Sequence, residues 1–115
     1  MSTEIDCNKI DPAKAAILLK ALSNEKRLQI LCNLLKGELC VNALEKMVGL
    51  SQSALSQHLA KLRASKLVTT RRDAQTIYYK VGEHSVLDLM GCLQNIFSKD
   101  DLSLSSAELE ERAAE

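Results

Sequence analysis

Apolar side chains recur at helical intervals along most of this chain, and capping residues mark where each helix begins. The pair Asp11-Pro12 predicts the start of a first helix that runs to about Leu22, because aspartate caps the first turn and proline fits its first position. Ser23 or Asn24 is expected to cap a second helix. The predicted apolar face of that helix consists of Leu28, Leu31, Cys32 and Leu35.

The next segment has the pattern of two helices joined by a tight turn. Asn42 is predicted to cap a short third helix, Gly49 supplies the turn, and Ser51 caps a fourth helix. This order is the supersecondary signature of a helix-turn-helix motif. The third helix should point Leu44, Met47 and Val48 inward, and the fourth carries an apolar stripe of Ala54, Leu55, Leu59 and Leu62.

The opposite side of the fourth helix is polar. Short hydrogen-bonding side chains cluster near its start, a composition that suits base edges and phosphate oxygens. We therefore predict a DNA-reading helix. Its candidate contact residues are Ser51, Gln52, Ser53, Ser56 and Gln57.

After Ala64 the apolar pattern changes from helical to alternating. Residues 67–72 and 75–81 are rich in Val, Thr, Ile and Tyr and are separated by Asp73-Ala74, which predicts a two-stranded antiparallel hairpin. Such a hairpin would form a basic wing beside the reader helix. Its candidate DNA contacts are Arg71, Arg72 and Gln75.

A final helix is predicted from about residue 83 to 97, with a broad apolar stripe. The first helix has a similar face in Ile17, Leu18 and Leu22, so we expect the first and last helices to form a homodimer interface, the alternative being a core within one chain. The expected organisation is an N-terminal arm (1–10), a winged helix-turn-helix domain for DNA binding and dimerisation (11–97) and an acidic tail (98–115). The final stripe is Val86, Leu89, Met90, Leu93, Ile96 and Phe97.

Charge is segregated although the chain is neutral, with 15 basic and 15 acidic residues. Residues 51–81 contain six basic side chains and one acidic one, whereas residues 98–115 contain two basic and six acidic ones. Binding to the DNA backbone needs positive charge on one surface rather than a positive total. The charge pattern therefore favours the DNA-binding interpretation, with a protein-interaction module of the same fold as its rival.

Other classes of protein are less consistent with the sequence. No apolar run approaches the 18 residues of a membrane span, and the N-terminus lacks a secretory signal, so a cytoplasmic protein is expected. Both histidines, His58 and His84, lie in segments that the fold explains, so no catalytic site and no cofactor are expected. His58 lies among leucines and is expected to be a partly buried structural side chain rather than a base contact.

Four stretches resemble the arsenic-repressor (ArsR/SmtB-type) winged-helix family. They are ALSNEKRLQIL at 21–31, GELCVNAL at 37–44, LSQSALSQHLAKLR at 50–63 and RRDAQTIYY at 71–79. The cysteine that follows RLQIL and the words LSQSALSQHL are most similar to the thiol- and sulfide-responsive HlyU/BigR/SqrR branch. The resemblance implies a mainly α fold of five core helices with a β-hairpin wing, and a homodimer on an inverted-repeat operator, usually as a repressor whose inducer lowers DNA affinity.

The same resemblance leaves the inducer open. Metal-sensing members have two or three thiolates around the third helix; here Cys40 fills one such position, but Asn42 stands where a second cysteine would be. A metal- or metalloid-responsive repressor using Cys7 and Cys40 remains the alternative, although a complete metal site is not predicted.

The thiol-responsive branch points instead to Cys32, which matches its second-helix cysteine. The partner cysteine of that branch is replaced here by Ser98. Cys32 then pairs with Cys92 or Cys7, reacts alone, or is a packing residue in a constitutive DNA binder or anti-repressor. Cys40 and Cys92 are each expected to pack rather than react.

Overall fold

The computed structural model describes residues 4–82, 84–98 and 106–113. The chain divides into two compact units, Met1–Glu83 and His84–Glu115. In the first unit, a 3-10 turn at Cys7–Lys9 precedes α1 (Pro12–Leu22), α2 (Glu25–Leu34), β1 (Leu39–Cys40), α3 (Val41–Val48), α4 (Gln52–Ala64), β2 (Val68–Asp73) and β3 (Thr76–Val81). The second unit contains α5 (His84–Ser98) and α6 (Ser106–Ala113).

Three of the predicted helix caps are confirmed by hydrogen bonds. The Asp11 carboxylate accepts from the amide of Ala13 at 3.0 Å, and the Asn24 side chain accepts from the amide of Arg27 at 3.0 Å. The Ser51 hydroxyl accepts from the Ala54 amide at 3.2 Å. Each cap satisfies an amide that has no partner inside its own helix.

The predicted start of α3 is wrong. This helix begins at Val41, with Cys40 at the cap position and no side-chain hydrogen bond there, so Asn42 lies inside the helix. The reason is the strand β1, which ends at Cys40 and passes directly into α3. At the other end Gly49 adopts a left-handed conformation (φ +73°), and this confirms its predicted turn.

The sheet has three strands rather than the two predicted, in the antiparallel order β1-β3-β2. The pairing of Leu39 with Tyr79 and of Cys40 with Tyr78 adds β1 to the far edge of β3. Between β2 and β3, Asp73 pairs with Thr76, so the loop is Ala74-Gln75, one residue later than the sequence suggested. A two-residue strand is too short to leave an alternating pattern in the sequence.

The buried face of α2 also differs from the prediction. Leu31 is buried as expected, but Cys32 and Leu35 are exposed. The side of α2 that faces the core is shifted from the predicted one and includes Arg27, whose guanidinium binds the C-terminal end of α1. The buried side chains of α2 are Arg27, Ile30, Leu31 and Leu34.

The core of the first unit surrounds α2, which contacts α1, α3, α4 and β3. The stripe predicted for α4 is confirmed at its three leucines. On α3, by contrast, Met47 is 56% exposed and does not join the core as predicted. The buried apolar side chains of this unit are Ala21, Leu22, Ile30, Leu31, Leu34, Leu44, Val48, Leu55, Leu59, Leu62, Leu67 and Val68.

Each unit also exposes large apolar side chains. In the first unit Ile17 and Leu19 on α1 are exposed, whereas Leu22 of the predicted face is buried. In the second unit α5 exposes Ile96 and Phe97. None of the described helices is both long and apolar enough to cross a bilayer.

Parts of the predicted arm and tail lie outside the described residues, namely 1–3, 99–105 and 114–115, as does the side chain of His84. Within the tail, residues 106–113 form the helix α6.

Candidate nucleic-acid interface

The two sides of α4 have opposite character. Its leucines at 55, 59 and 62 are buried, whereas the polar side chains predicted to read DNA are all exposed. The helical repeat of 3.6 residues places the exposed group on one side of the first two turns. This row of amide and hydroxyl groups consists of Gln52, Ser53, Ser56 and Gln57.

A buried arginine on α2 links α1 to α4. Arg27 is only 8% exposed, and its Nε donates to the carbonyl of Ala21 at 2.6 Å. Its Nη2 donates to the carbonyl of Lys20 at 3.3 Å, and its Nη1 lies 3.4 Å from Nδ1 of His58 on α4. The guanidinium therefore caps the C-terminus of α1, where carbonyl groups lack helical partners.

The contact with Arg27 requires a neutral His58. A guanidinium only donates hydrogen bonds, so Nδ1 of the imidazole must accept and its proton must lie on Nε2. Burial lowers the pKa of His58 below its usual value, and the cations Arg27 and Lys61 lower it further. This half-buried position agrees with the structural role predicted for the histidine.

In the sheet, Arg71 is held by two other side chains. Its Nε donates to both carboxylate oxygens of Glu38, at 2.8 and 2.9 Å, and its Nη2 also donates to Oε1. The guanidinium carbon lies 4.4 Å from the centre of the Tyr78 ring, a cation–π distance. These hydrogen bonds lower the pKa of Glu38 and raise that of Arg71.

The adjacent Arg72 lies on the other face of the hairpin. Successive side chains of a strand alternate between faces, and Arg72 pairs with Ile77 whereas Arg71 pairs with Tyr78. Arg72 is exposed, and within the described ranges it has no carboxylate at salt-bridge distance. Gln75 is exposed in the two-residue loop at the hairpin tip.

An open basic pocket of about 290 Å³ lies where the end of α4 meets β2. Two cationic side chains and two hydroxyl groups line it, which is the chemistry that binds a phosphate oxygen. Lys66 adopts a positive φ of 62° at the end of α4. The lining residues are Arg63, Lys66, Val68, Thr69 and Thr70.

The sequence of this chain is similar to those of known proteins. The family model for bacterial regulatory proteins of the arsR family matches residues 24–70. The nodulation protein NolR of Rhizobium meliloti is 51% identical over 104 residues, which cover 90% of this chain and 85% of NolR. The transcriptional activator HlyU of Vibrio cholerae is 52% identical over 85 residues, which cover 74% of this chain and 79% of HlyU.

This chain belongs to the ArsR family.

Two solved structures extend the agreement to the fold. Reduced HlyU from Vibrio cholerae superimposes with a TM-score of 0.70 at 50% identity, covering 76% of this chain and 93% of that one. The homodimeric winged helix-turn-helix domain Mb0332 from Mycobacterium bovis has a TM-score of 0.72 at 31% identity, covering 85% and 91%. The chain is therefore an ArsR-family transcriptional regulator with a winged helix-turn-helix fold.

The cysteines of this ArsR-family chain lie on different elements. Cys7, Cys32 and Cys92 are exposed, and Cys40 is half-buried. The exposure of Cys32 and Cys92 contradicts their interpretation as packing residues within one chain. Among the described residues, no group of three His, Cys, Asp or Glu side chains could hold a metal ion.

Two residues that shape this site, Glu38 and Arg27, were not predicted from the sequence. Glu38 was not considered because nothing in the sequence links it to Arg71, 33 residues away. Arg27 was overlooked because a charged residue counts as a surface residue in periodicity arguments. The position of Glu38 just before Leu39-Cys40 is too weak a pattern to predict its contact with Arg71.

Proposed function

We propose that this ArsR-family regulator binds a double-stranded operator as a homodimer, with α4 in the major groove and the β2–β3 hairpin against the adjacent backbone. The observation that carries the proposal is the exposed polar side of α4, whose opposite side is anchored by three buried leucines. A rigid helix with amide and hydroxyl groups outward can match base edges. The proposed contacts are Ser51, Gln52, Ser53, Ser56 and Gln57 on α4, and Arg71, Arg72 and Gln75 on the hairpin.

The proposed homodimer uses the first and last long helices, α1 and α5. Both expose large apolar side chains in the single chain, such as Ile17 and Phe97, and burial against a partner removes these from water. The homodimeric state of Mb0332 supports a dimer, and the choice of α1 and α5 rests on their exposed apolar side chains. A two-fold dimer would place two α4 helices about 34 Å apart, one duplex turn, and so recognise an inverted repeat.

We further propose that the protein acts in the cytoplasm as a repressor and that thiol oxidation or persulfidation at Cys32 lowers its DNA affinity. The exposure of Cys32 supports this role, because a reactive thiol must meet its oxidant. Cys92 and Cys7 are the possible partners for a disulfide. The alternative is a metal-responsive regulator that uses the thiols of Cys7 and Cys40.

The test begins with selection of tight-binding duplexes from a random pool. Fluorescence anisotropy then measures affinity for the selected duplex with the protein reduced, treated with an organic persulfide or diamide, or incubated with As(III), Cd(II) or Zn(II). We expect loss of affinity after oxidation, and mass spectrometry should find the modification on Cys32. Failure to enrich any duplex would contradict the DNA-binding proposal itself.

Cysteine variants separate the possible sensors. Cys32→Ser should bind like the reduced protein and ignore the oxidant, whereas Cys40→Ser, the matched control, should still respond. An unchanged oxidant response in Cys32→Ser would move the switch to another residue. Loss of affinity only with a metal ion would favour the alternative with Cys7 and Cys40. Analytical ultracentrifugation tests the dimer, since a monomer at micromolar concentration would rule out the two-fold operator.

A further inference from the structure

Glu38 occupies the part of Arg71 that a DNA phosphate would bind. The carboxylate accepts from Nε and Nη2, which lie along one edge of the guanidinium. Arginine binds phosphate by this same two-pronged geometry. A phosphate and the carboxylate therefore cannot both take that edge in full.

The pair lies on an accessible part of the sheet. The side chains of Arg71 and Glu38 are 51% and 32% exposed, respectively. Glu38 stands two residues before Cys40, which pairs with Tyr78, and Tyr78 pairs in turn with Arg71. The alternation of strand side chains thus places Cys40, Tyr78 and Arg71 on one face, with the guanidinium over the Tyr78 ring. Glu38, which precedes β1, reaches Arg71 there.

Glu38 also changes the charge that the wing presents. Arg71 is one of six cations in the basic segment 51–81. Its close pairing with the Glu38 carboxylate gives a pair with no net charge. Lys80 acts on Glu38 as well, since its positive charge helps to lower the pKa of the carboxyl group. The face that carries Arg71 is therefore less positive than the sequence of the hairpin suggests.

We propose that Glu38 competes with backbone phosphate for Arg71 and thereby lowers the affinity of this protein for duplex DNA of any sequence. This inference rests on the proposed DNA-binding function. When a phosphate approaches, it must displace the carboxylate from Nε and Nη2 of Arg71, and the cost of breaking that ion pair opposes binding. Base contacts by α4 are unaffected, so operator and random duplexes lose affinity by the same factor, and Glu38 sets the overall DNA affinity rather than the sequence preference.

The test uses Glu38→Gln, which keeps the shape of the side chain and removes its charge. The probe is a duplex of about 30 base pairs and arbitrary sequence, roughly three turns, studied by fluorescence anisotropy from about 50 to 200 mM salt. We expect Glu38→Gln to bind it about 3- to 10-fold more tightly, with a salt slope steeper by about two, since each protomer of the dimer gains one phosphate contact.

A double-mutant cycle identifies the residue through which Glu38 acts. Arg71→Ala should bind slightly more weakly than the wild type, and the gain from Glu38→Gln should disappear in the Glu38→Gln/Arg71→Ala variant. Glu110→Gln removes the same charge from the exposed surface of α6 and should leave the affinity unchanged. Circular dichroism should show unaltered folding, because an exposed ion pair contributes little to stability.

Three results would overturn the inference. Equal gains with and without Arg71 would mean that Glu38 acts by its own repulsion of DNA. An unchanged or lower affinity of Glu38→Gln would mean that the carboxylate does not compete with phosphate. If Glu110→Gln gained as much DNA affinity as Glu38→Gln, the gain would come from the change in the net charge of the protein and not from the position of Glu38. If the wild type shows no salt-dependent binding to any duplex, the proposed function fails as well, and that outcome is distinct from the other three.

Discussion

The reader helix and the wing are both candidate DNA contacts, but their side chains are arranged by different means. On α4 the polar group lies within six residues, from Gln52 to Gln57, and the helical repeat alone places it opposite the buried leucines. On the wing, Arg71 is fixed by Glu38, 33 residues earlier in the chain. The reader face is thus set by local sequence, whereas the charge of the wing depends on a tertiary contact.

The largest expected effect concerns α4. Gln57→Ala should weaken binding to the selected operator by roughly 1–3 kcal/mol, because a lost base contact leaves its partner unpaired. The change should spare random duplexes and the thermal stability, since the side chain is exposed. Anisotropy titrations with both duplexes measure the two affinities. Equal losses on operator and random DNA would show that α4 does not carry the sequence specificity.

The two wing arginines provide the next comparison. Arg72→Ala should weaken binding to all duplexes by about 3- to 10-fold and reduce the salt slope by about two, since each protomer of the dimer loses one phosphate contact. Arg71→Ala should cost less, because Glu38 already neutralises that cation. Titrations at several salt concentrations test the order. A larger loss of affinity with Arg71→Ala than with Arg72→Ala would contradict the idea that the charge of Arg71 is neutralised by Glu38 whereas that of Arg72 is not.

The tip of the wing offers a smaller effect on stability. Ala74 adopts a positive φ of 58°, a conformation that glycine accepts without steric cost. Ala74→Gly should therefore stabilise the protein by about 0.5–1 kcal/mol, since relief of the strain outweighs the added chain entropy. Urea unfolding measures this free energy. A destabilised Ala74→Gly would indicate that the loop relaxes away from this conformation.

The smallest expected effect concerns the pH dependence of stability. It arises on the inner side of α4, where His58 contacts Arg27 of α2. The folded-state pKa of His58 lies below its unfolded value, chiefly through burial. Its neutral form therefore adds stability that is full above about pH 6.5 and is lost as the pH falls toward the lower folded pKa. The melting temperature should fall between about pH 7 and pH 5, and part of that fall should trace to this residue.

His58→Asn isolates the contribution. The asparagine oxygen can accept from Arg27 in place of Nδ1 and does not titrate, so this variant should lose less stability over the same range. Melting curves by circular dichroism at each pH give the comparison. Identical pH profiles for the two proteins would exclude His58 as a source of the change.

Much of the first unit could be predicted because its signals are local. Asp11, Asn24 and Ser51 cap helices as expected, and the change from a helical to an alternating pattern after Ala64 locates the hairpin. These features depend on neighbouring residues, whose side chains bond or pack within a few positions of one another. The resemblance to the ArsR family rests on the same segments.

The errors occurred where distant segments meet. The strand Leu39–Cys40 exists only because β3 pairs with it, and two residues leave no periodic signal. The face of α2 was misassigned because Arg27 turns inward to cap α1. Met47 and Cys32 were wrongly predicted to face inward for a similar reason. The spacing of apolar residues allows several buried faces for a helix, and tertiary packing selects one.

The sequence by itself determined the order of the long helices and the hairpin, the family and the polar side of α4, because each of these depends on residues close together in the chain. Only the tertiary structure decided that Arg71 is neutralised by Glu38, that His58 must be neutral beside Arg27, and that Cys32 faces solvent. Hydrogen bonds and ion pairs act over a few ångströms of space. Which charges come that close is fixed by how the chain folds, and their separation along the sequence does not reveal it.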